Sequence, residues 1–290
     1  MPYYGGKSRF GAAIAAHINR WIRRTGARVY FEPFFGMGGV TAHIESGLGS
    51  GSGSGSGLAS GVVRVVCDAN VSQMAMWRAL LHRTQMTLPK SPISKEQWRR
   101  HKFGPNTPLK GFFGVAQSFG SNPYVGYVQD EARRVSQFNS TKAAIERLLP
   151  RLRGVVALPG ASYTTFEPVG CVVYCDPPYA NTRCFAMKET SKFDSAKFWD
   201  TMQRWSLRNL VFVSEASPRR GWRTVWMLAS NKAGRLNKPR TEYLLMRGPK
   251  KLSASSIATS VATSVATGVA SHKSGGVATS VPTHILKMRK

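Results

Sequence analysis

The sequence predicts an α/β fold: an open, mostly parallel central sheet wound by helices, with a small, mainly helical insert. Three apolar runs carry that expectation. Residues 28–31, 62–67 and 172–175 each read as a short buried strand, and each runs into a loop bearing an acid: Glu32, Asp68 and Asp176. Mainly apolar runs of that length suit strands covered on both faces. In such sheets ligands sit beyond the carboxyl ends of the strands, which is where these three acids fall.

The chain opens on a turn, Pro2-Tyr3-Tyr4-Gly5-Gly6-Lys7, followed by a helix with Ile14, Ile18, Trp21 and Ile22 on its apolar face. The first strand leads into Glu32-Pro33-Phe34-Phe35-Gly36-Met37-Gly38-Gly39 and then a helix through Ile44. Strand, glycine-rich turn and helix let a ligand's polar groups approach backbone amides at a helix N-terminus. Residues 49–57 alternate Gly and Ser and read as a flexible surface loop. The second strand ends in Asp68-Ala69-Asn70, ahead of a helix carrying Met74, Trp77, Leu80 and Leu81. Asp68 suits the hydroxyls of a ribose or the cap of that helix, and both roles can hold together.

The strand–helix alternation lapses over 83–153. This stretch holds 13 Lys and Arg against four acids and interleaves Trp98, Phe103, Phe112, Phe113, Phe119, Tyr124 and Tyr127 among them. It reads as a nucleic-acid-facing insert, with several aromatics forming its own core and the basic residues facing phosphate. Beyond the third strand, Phe193, Phe198, Trp199, Met202 and Trp205 mark an amphipathic helix, and 210–214 and 241–246 are further strands. Residues 251–290 repeat Ser-Val-Ala-Thr and hold no large apolar residue between Ile257 and Ile285, so they read as a disordered, low-complexity basic tail. The division is therefore a catalytic domain of 1–82 and 154–250, an insert of 83–153, and the tail.

The net charge of +27 sets 41 Lys and Arg against 14 acids, a field suited to a polyanion such as DNA. There is no apolar stretch of transmembrane length and no secretory leader pattern, so a membrane partner is not expected and a cytoplasmic location, in a bacterium or a phage-infected host cell, is. Cys67, Cys171, Cys175 and Cys184 show no framework or metal-ligand spacing and read as free thiols, with no metal site expected.

The most informative residues are Asp176-Pro177-Pro178-Tyr179. Two prolines stiffen the loop after the strand. Asp176 offers an anionic acceptor, Pro177 a backbone carbonyl and Tyr179 a flat face, a set suited to a planar ring with an exocyclic amino group.

Together these blocks resemble the DNA adenine-N6 methyltransferase family related to bacterial Dam, and within it the phage-type members. Tyr3-Tyr4-Gly5-Gly6-Lys7 resembles its N-terminal cofactor motif, Phe31 to Gly38 its glycine loop, Cys67-Asp68-Ala69-Asn70 its second strand end, and Asp176 to Tyr179 its catalytic tetrapeptide. Gly111-Phe112-Phe113-Gly114 through Ser118-Phe119-Gly120 resembles the start of the phage-type insert, and Arg240-Thr241-Glu242-Tyr243-Leu244 follows the family pattern. One departure stands out: Thr164-Thr165-Phe166 occupies a place where the family usually has an acid near the cofactor's adenine.

The resemblance implies a Rossmann-like methyltransferase fold, S-adenosylmethionine as cofactor and double-stranded DNA as partner, with a monomer or weak dimer expected. It assigns Asp176, Pro177, Pro178 and Tyr179 to catalysis on a flipped adenine. It assigns Tyr3, Lys7, Glu32, Phe35, Gly36, Gly38, Asp68, Thr165 and Asp176 to the cofactor. In the insert, Arg99, Arg100, Lys102, Lys110, Arg133 and Arg134 are expected at phosphates, with Gln117, Ser118, Asn122 and Tyr124 nearer the bases. Two other readings remain open: a catalytically silent DNA-binding protein on the same scaffold, and methylation of an amino group in RNA or protein.

Overall fold

The computed structural model describes residues 6–7, 9–46, 61–82, 86–178, 193–230, 240–249 and 286–288. Seven strands form one sheet: β1 (Val29–Glu32), β2 (Val63–Val66), β3 (Val156–Ala157), β5 (Val172–Cys175), β6 (Leu210–Glu215), β7 (Arg223–Ser230) and β8 (Arg240–Arg247). Their order is β3-β2-β1-β5-β6-β8-β7. The strands from β3 to β6 run parallel, and β8 lies antiparallel between β6 and β7. This is a Rossmann-like, doubly wound sheet, with winding that reverses between β1 and β5 and a reversed strand inserted near one edge. β4 (Phe166–Pro168) pairs instead with β9 (Leu286–Met288).

Alternation along the strands builds two cores. Tyr30, Tyr174 and Phe212 point to the face covered by α1 (Gly11–Thr25), where Ile14, Ile18 and Ile22 pack. Phe31, Val173, Val211 and Val213 point to the other face, under Phe198, Trp199, Met202 and Trp205 of α6 (Ser195–Trp205). A third cluster joins Val66 and Ala157 of the sheet to Trp77 of α2 (Val71–Leu81). Phe112 of α4 (Pro108–Ala116) and Phe138 of α5 (Glu131–Leu148) belong to the same cluster. α3 (Lys95–Phe103), α4 and α5 are the α-helices found within residues 83–153, and α4 and α5 share their core with the sheet.

Two expectations need correction. The glycine-rich loop leads to a single 3₁₀ turn, Thr41–His43, in place of a helix, so its amides do not sit at an α-helix N-terminus. Gly36 and Gly38 have φ of 51° and 71°, a backbone path that winds the loop back toward β2. The edge strand β7 was not anticipated. The described part of the tail is also ordered, since 286–288 form β9. The Gly/Ser tract 49–57 and the rest of 251–290 lie outside the described residues.

Candidate active site

The switch point between β1 and β5 gathers the site. Glu32 closes β1, Asp68 follows β2, Asp176 follows β5, Glu215 closes β6 and Glu242 lies near the start of the antiparallel β8. Five of the chain's 14 acids thus meet at one edge of a chain with net charge +27. Among the described residues the cation that meets them is Lys7, with Nζ 2.7 Å from Asp176 Oδ1 and 3.3 Å from Glu242 Oε1. Lys7 is 9% exposed, Asp176 15% and Glu242 13%. Burial opposes the Lys7 charge, but Asp176 and Glu242 outweigh it and hold the ammonium above its ordinary pKa. Pro177 is buried beside Asp176, and Pro178 is half-buried.

The glycine loop is clamped from β2 and α2. The Gly36 N–H donates to Asp68 Oδ2 at 2.9 Å, and the Asn70 N–H to Asp68 Oδ1 at 2.9 Å. The Gly36 carbonyl accepts from the side chains of Gln73 and Trp77. A Cβ on Gly38 would stand 3.0 Å from the Phe35 ring, which is itself buried against Trp77. Asp68 is therefore a loop staple, and the cap of α2 is Asn70, whose side chain accepts from the Gln73 N–H. Burial raises the Asp68 pKa, opposed by its two backbone donors. Each Asp68 oxygen keeps a second lone pair, so the half-buried carboxylate fits a pair of ribose hydroxyls as well.

Glu32 is 2% exposed and accepts from the Tyr30 hydroxyl at 2.8 Å and from the Thr41 hydroxyl. Burial pushes its carboxyl up to about 8, with the Thr41 and Tyr30 bonds opposing. It faces inward under the glycine loop, which makes it a support for that loop. Thr165 lies in the 3₁₀ turn Tyr163–Thr165, and its hydroxyl donates to the Ser162 carbonyl. Tyr3, Tyr179 and Cys184 lie outside the described residues. Cys67, Cys171 and Cys175 are free and buried.

The insert residues divide sharply. Arg99, Arg100 and Arg133 are exposed, as the phosphate assignment requires, and Asn122 is half-buried in the turn after Phe119–Ser121. Arg133 lies over the exposed Phe119 ring, and Lys102 over Trp98 and Phe103. Gln117, Ser118 and Tyr124 do not fit a role at the bases, because all three are buried. Gln117 exchanges two 2.9 Å bonds with the backbone of Ile93. Ser118 accepts from the Tyr124 N–H, and the Tyr124 hydroxyl donates to the Lys110 carbonyl. Lys110 Nζ donates to the Gly104 carbonyl, and Arg134 donates to the carbonyls of Val128 and Gln129. These are internal braces of the helical layer.

Glu242, Glu215 and Gln73 were given no role from sequence. An acid within a strand of an acid-poor chain was the available signal for Glu242. The approach of β8 to Lys7 was not readable.

No family model matches the chain. No curated protein sequence matches it either. Among solved structures, 19 chains match. One is the rRNA methyltransferase aviRa from Streptomyces viridochromogenes, aligned over 86% of this chain and 86% of its own at 11% identity and a TM-score of 0.29. At that score the overlap is too loose to carry an argument.

Proposed function

We propose that the chain transfers a methyl group from S-adenosylmethionine to the N6 amino group of a flipped adenine in double-stranded DNA. The observation that carries this reading is Asp176, held by Lys7 at the carboxyl end of β5, beside the switch point and the loop that Asp68 staples. The cofactor supplies an electrophilic methyl on sulfur. The residues present fit it: a glycine loop whose backbone lies open where side chains would crowd, and a carboxylate with lone pairs to spare at the end of β2.

The chain's own work is then positioning. The adenine amino group is a poor nucleophile because its lone pair is delocalised into the ring. Asp176 and the Pro177 carbonyl accept its protons and favour a more tetrahedral nitrogen, while Lys7 fixes the carboxylate in place. The target atom is out of reach in stacked duplex, so the base leaves the helix to meet these acceptors. The exposed Arg99, Arg100 and Arg133 hold phosphate.

The test is direct. Duplex DNA incubated with the chain and S-adenosylmethionine is digested to nucleosides and read by mass spectrometry. N6-methyladenine is expected, and its absence with retained DNA binding would favour the silent-scaffold reading. Methylation of RNA in preference to DNA would move the substrate class.

A further inference from the structure

The opposite edge of the sheet carries the opposite charge. Arg151 and Arg153 precede β3, Arg64 lies at the start of β2, Arg28 precedes β1, Arg208 precedes β6, Arg223 opens β7, and Arg247 closes the antiparallel β8. The register keeps the reversed strand in line: Arg247 is opposite Val211 and Arg223 is opposite Met246, both towards the amino end of β6. The row is interrupted at β5, which is preceded by Gly170 and Cys171. It contains arginine throughout and no lysine, and arginine is the side chain whose planar fork matches phosphate oxygens.

Two further features mark this edge as built for an anion. Arg28, Arg151, Arg153, Arg208 and Arg223 are exposed, and none has a side-chain hydrogen bond or ion pair among the described residues. Beside them a concavity of about 520 Å³ is lined by His43, Glu45, Arg64, Pro150, Arg151 and Arg153, with the Glu45 carboxylate neutralised by Arg23 at 2.6 Å. Arg64, 3% exposed, forms its floor: its guanidinium donates to the carbonyls of Arg151, Arg153 and Ile44, while its Nε has no partner. That buried fork holds the 151–153 turn so that two exposed arginines flank the opening.

We infer that the amino edge of the sheet binds a second segment of duplex DNA, separate from the segment presented to Asp176. Six strand intervals of about 4.8 Å give a row of roughly 29 Å, close to the ~34 Å of one helical turn of duplex. The length of β6, about 17 Å at 3.3 Å per residue, separates this edge from the acids at the other end. A short straight duplex seated at one edge therefore does not reach the other. Phosphate recognition follows from the arginines alone, whereas the choice of DNA rests on the proposed function: a chain tethered to DNA at one edge meets a second segment of the same polymer at high effective concentration. An acidic membrane is the weaker match, since the row is fork-bearing arginine throughout and lies along the end of a sheet.

The experiment is native mass spectrometry of the full chain with short duplexes, too short to bend around the molecule. One chain carrying two duplexes is expected. The set Arg28→Gln, Arg151→Gln, Arg153→Gln and Arg208→Gln should reduce this to one duplex per chain. It should also lower the salt slope for long DNA by about three to four units, at roughly 0.9 per phosphate contact. The matching set of Lys variants retains the charge and should keep the second duplex, which separates a lost site from a lost fold. A single duplex on the parent chain, or a second duplex that survives the Gln set, overturns the inference. Preferential capture of phosphatidylserine vesicles or of RNA at this edge, lost in the same Gln set, overturns DNA as the partner. If N6-methyladenine never forms but the second duplex binds and is lost in the Gln set, the proposed function fails and the polyphosphate surface stands.

Discussion

Lys7 reaches Asp176 across the switch point, with Nζ 2.7 Å from Oδ1 and both side chains largely withdrawn from water. The same ammonium is 3.3 Å from Glu242, so the N-terminal turn, the loop after β5 and the start of β8 meet on one charge. Removing one partner of a buried pair leaves the other carrying the desolvation cost.

Lys7→Met should therefore cost about 2–4 kcal/mol of stability and abolish methyl transfer, because two carboxylates lose their shared cation. Denaturant unfolding and a methyl-transfer assay read the two effects separately. Unchanged stability would show that the pair does not hold the site together.

Asp176→Ala and Asp68→Ala should part company. The first removes the acceptor for the target amino group and should end methyl transfer while leaving most cofactor affinity. The second removes a charge-assisted acceptor for the ribose and frees Gly36 from its staple, with a loss of cofactor affinity on the order of 1.5–3 kcal/mol. Calorimetry with S-adenosylmethionine separates them, and unchanged affinity in Asp68→Ala would leave that residue as a loop staple alone.

Glu32 provides a pH dependence of unusual sign. Its carboxyl titrates near 4.5 when free and is pushed up to about 8 by burial in the fold. Between those values the folded chain holds a proton that the unfolded chain has released. The contribution of Glu32 to stability therefore falls as pH rises from about 4.5 to about 8 and is level above. Glu32→Gln keeps an oxygen for the Tyr30 and Thr41 hydroxyls and should remove that slope, on the order of a few kcal/mol over the window. Unfolding curves collected across this range should show the variant at least as stable as the parent at the alkaline end. A slope identical to the parent's would place the titration elsewhere.

How much of this was legible differs from element to element. Residues 172–175 were readable as a strand because both faces are buried, which leaves an unbroken apolar run, and 62–67 reads the same way apart from Arg64. The strand β7 was missed because it lies at the sheet edge, with Met227 and Leu228 exposed, so neither an apolar run nor a clean alternation marks it. Asp68 and Asp176 were readable from their place after apolar runs. The Lys7–Glu242 contact was not, because it joins the two ends of the fold. Gln117 misled for a related reason: a polar residue within a stretch that is basic as a whole reads as a surface group. Its partner, the Ile93 backbone, is 24 positions away and leaves no local trace.

The helical layer offers the last test, because it contrasts two residues that looked alike in sequence. Gln117 is fully buried, and its amide satisfies both the N–H and the carbonyl of Ile93. Gln117→Ala strands those two backbone groups and should cost about 2–4 kcal/mol, at roughly 1–2 kcal/mol for each group left without its partner, while leaving the choice of methylated sites unchanged. Asn122 is half-buried, in a turn whose path is set by Gly120 at φ 63° and Ser121 at φ 55°, beside the exposed Phe119 with Arg133 over its ring. Asn122→Ala should leave the melting temperature nearly unchanged and alter which adenines are modified. Sequencing of methylated positions in random duplex, paired with thermal melts, measures both. If Gln117→Ala shifts the site preference at unchanged stability, the buried brace is not its role, and the base-facing surface must include the region around Ile93.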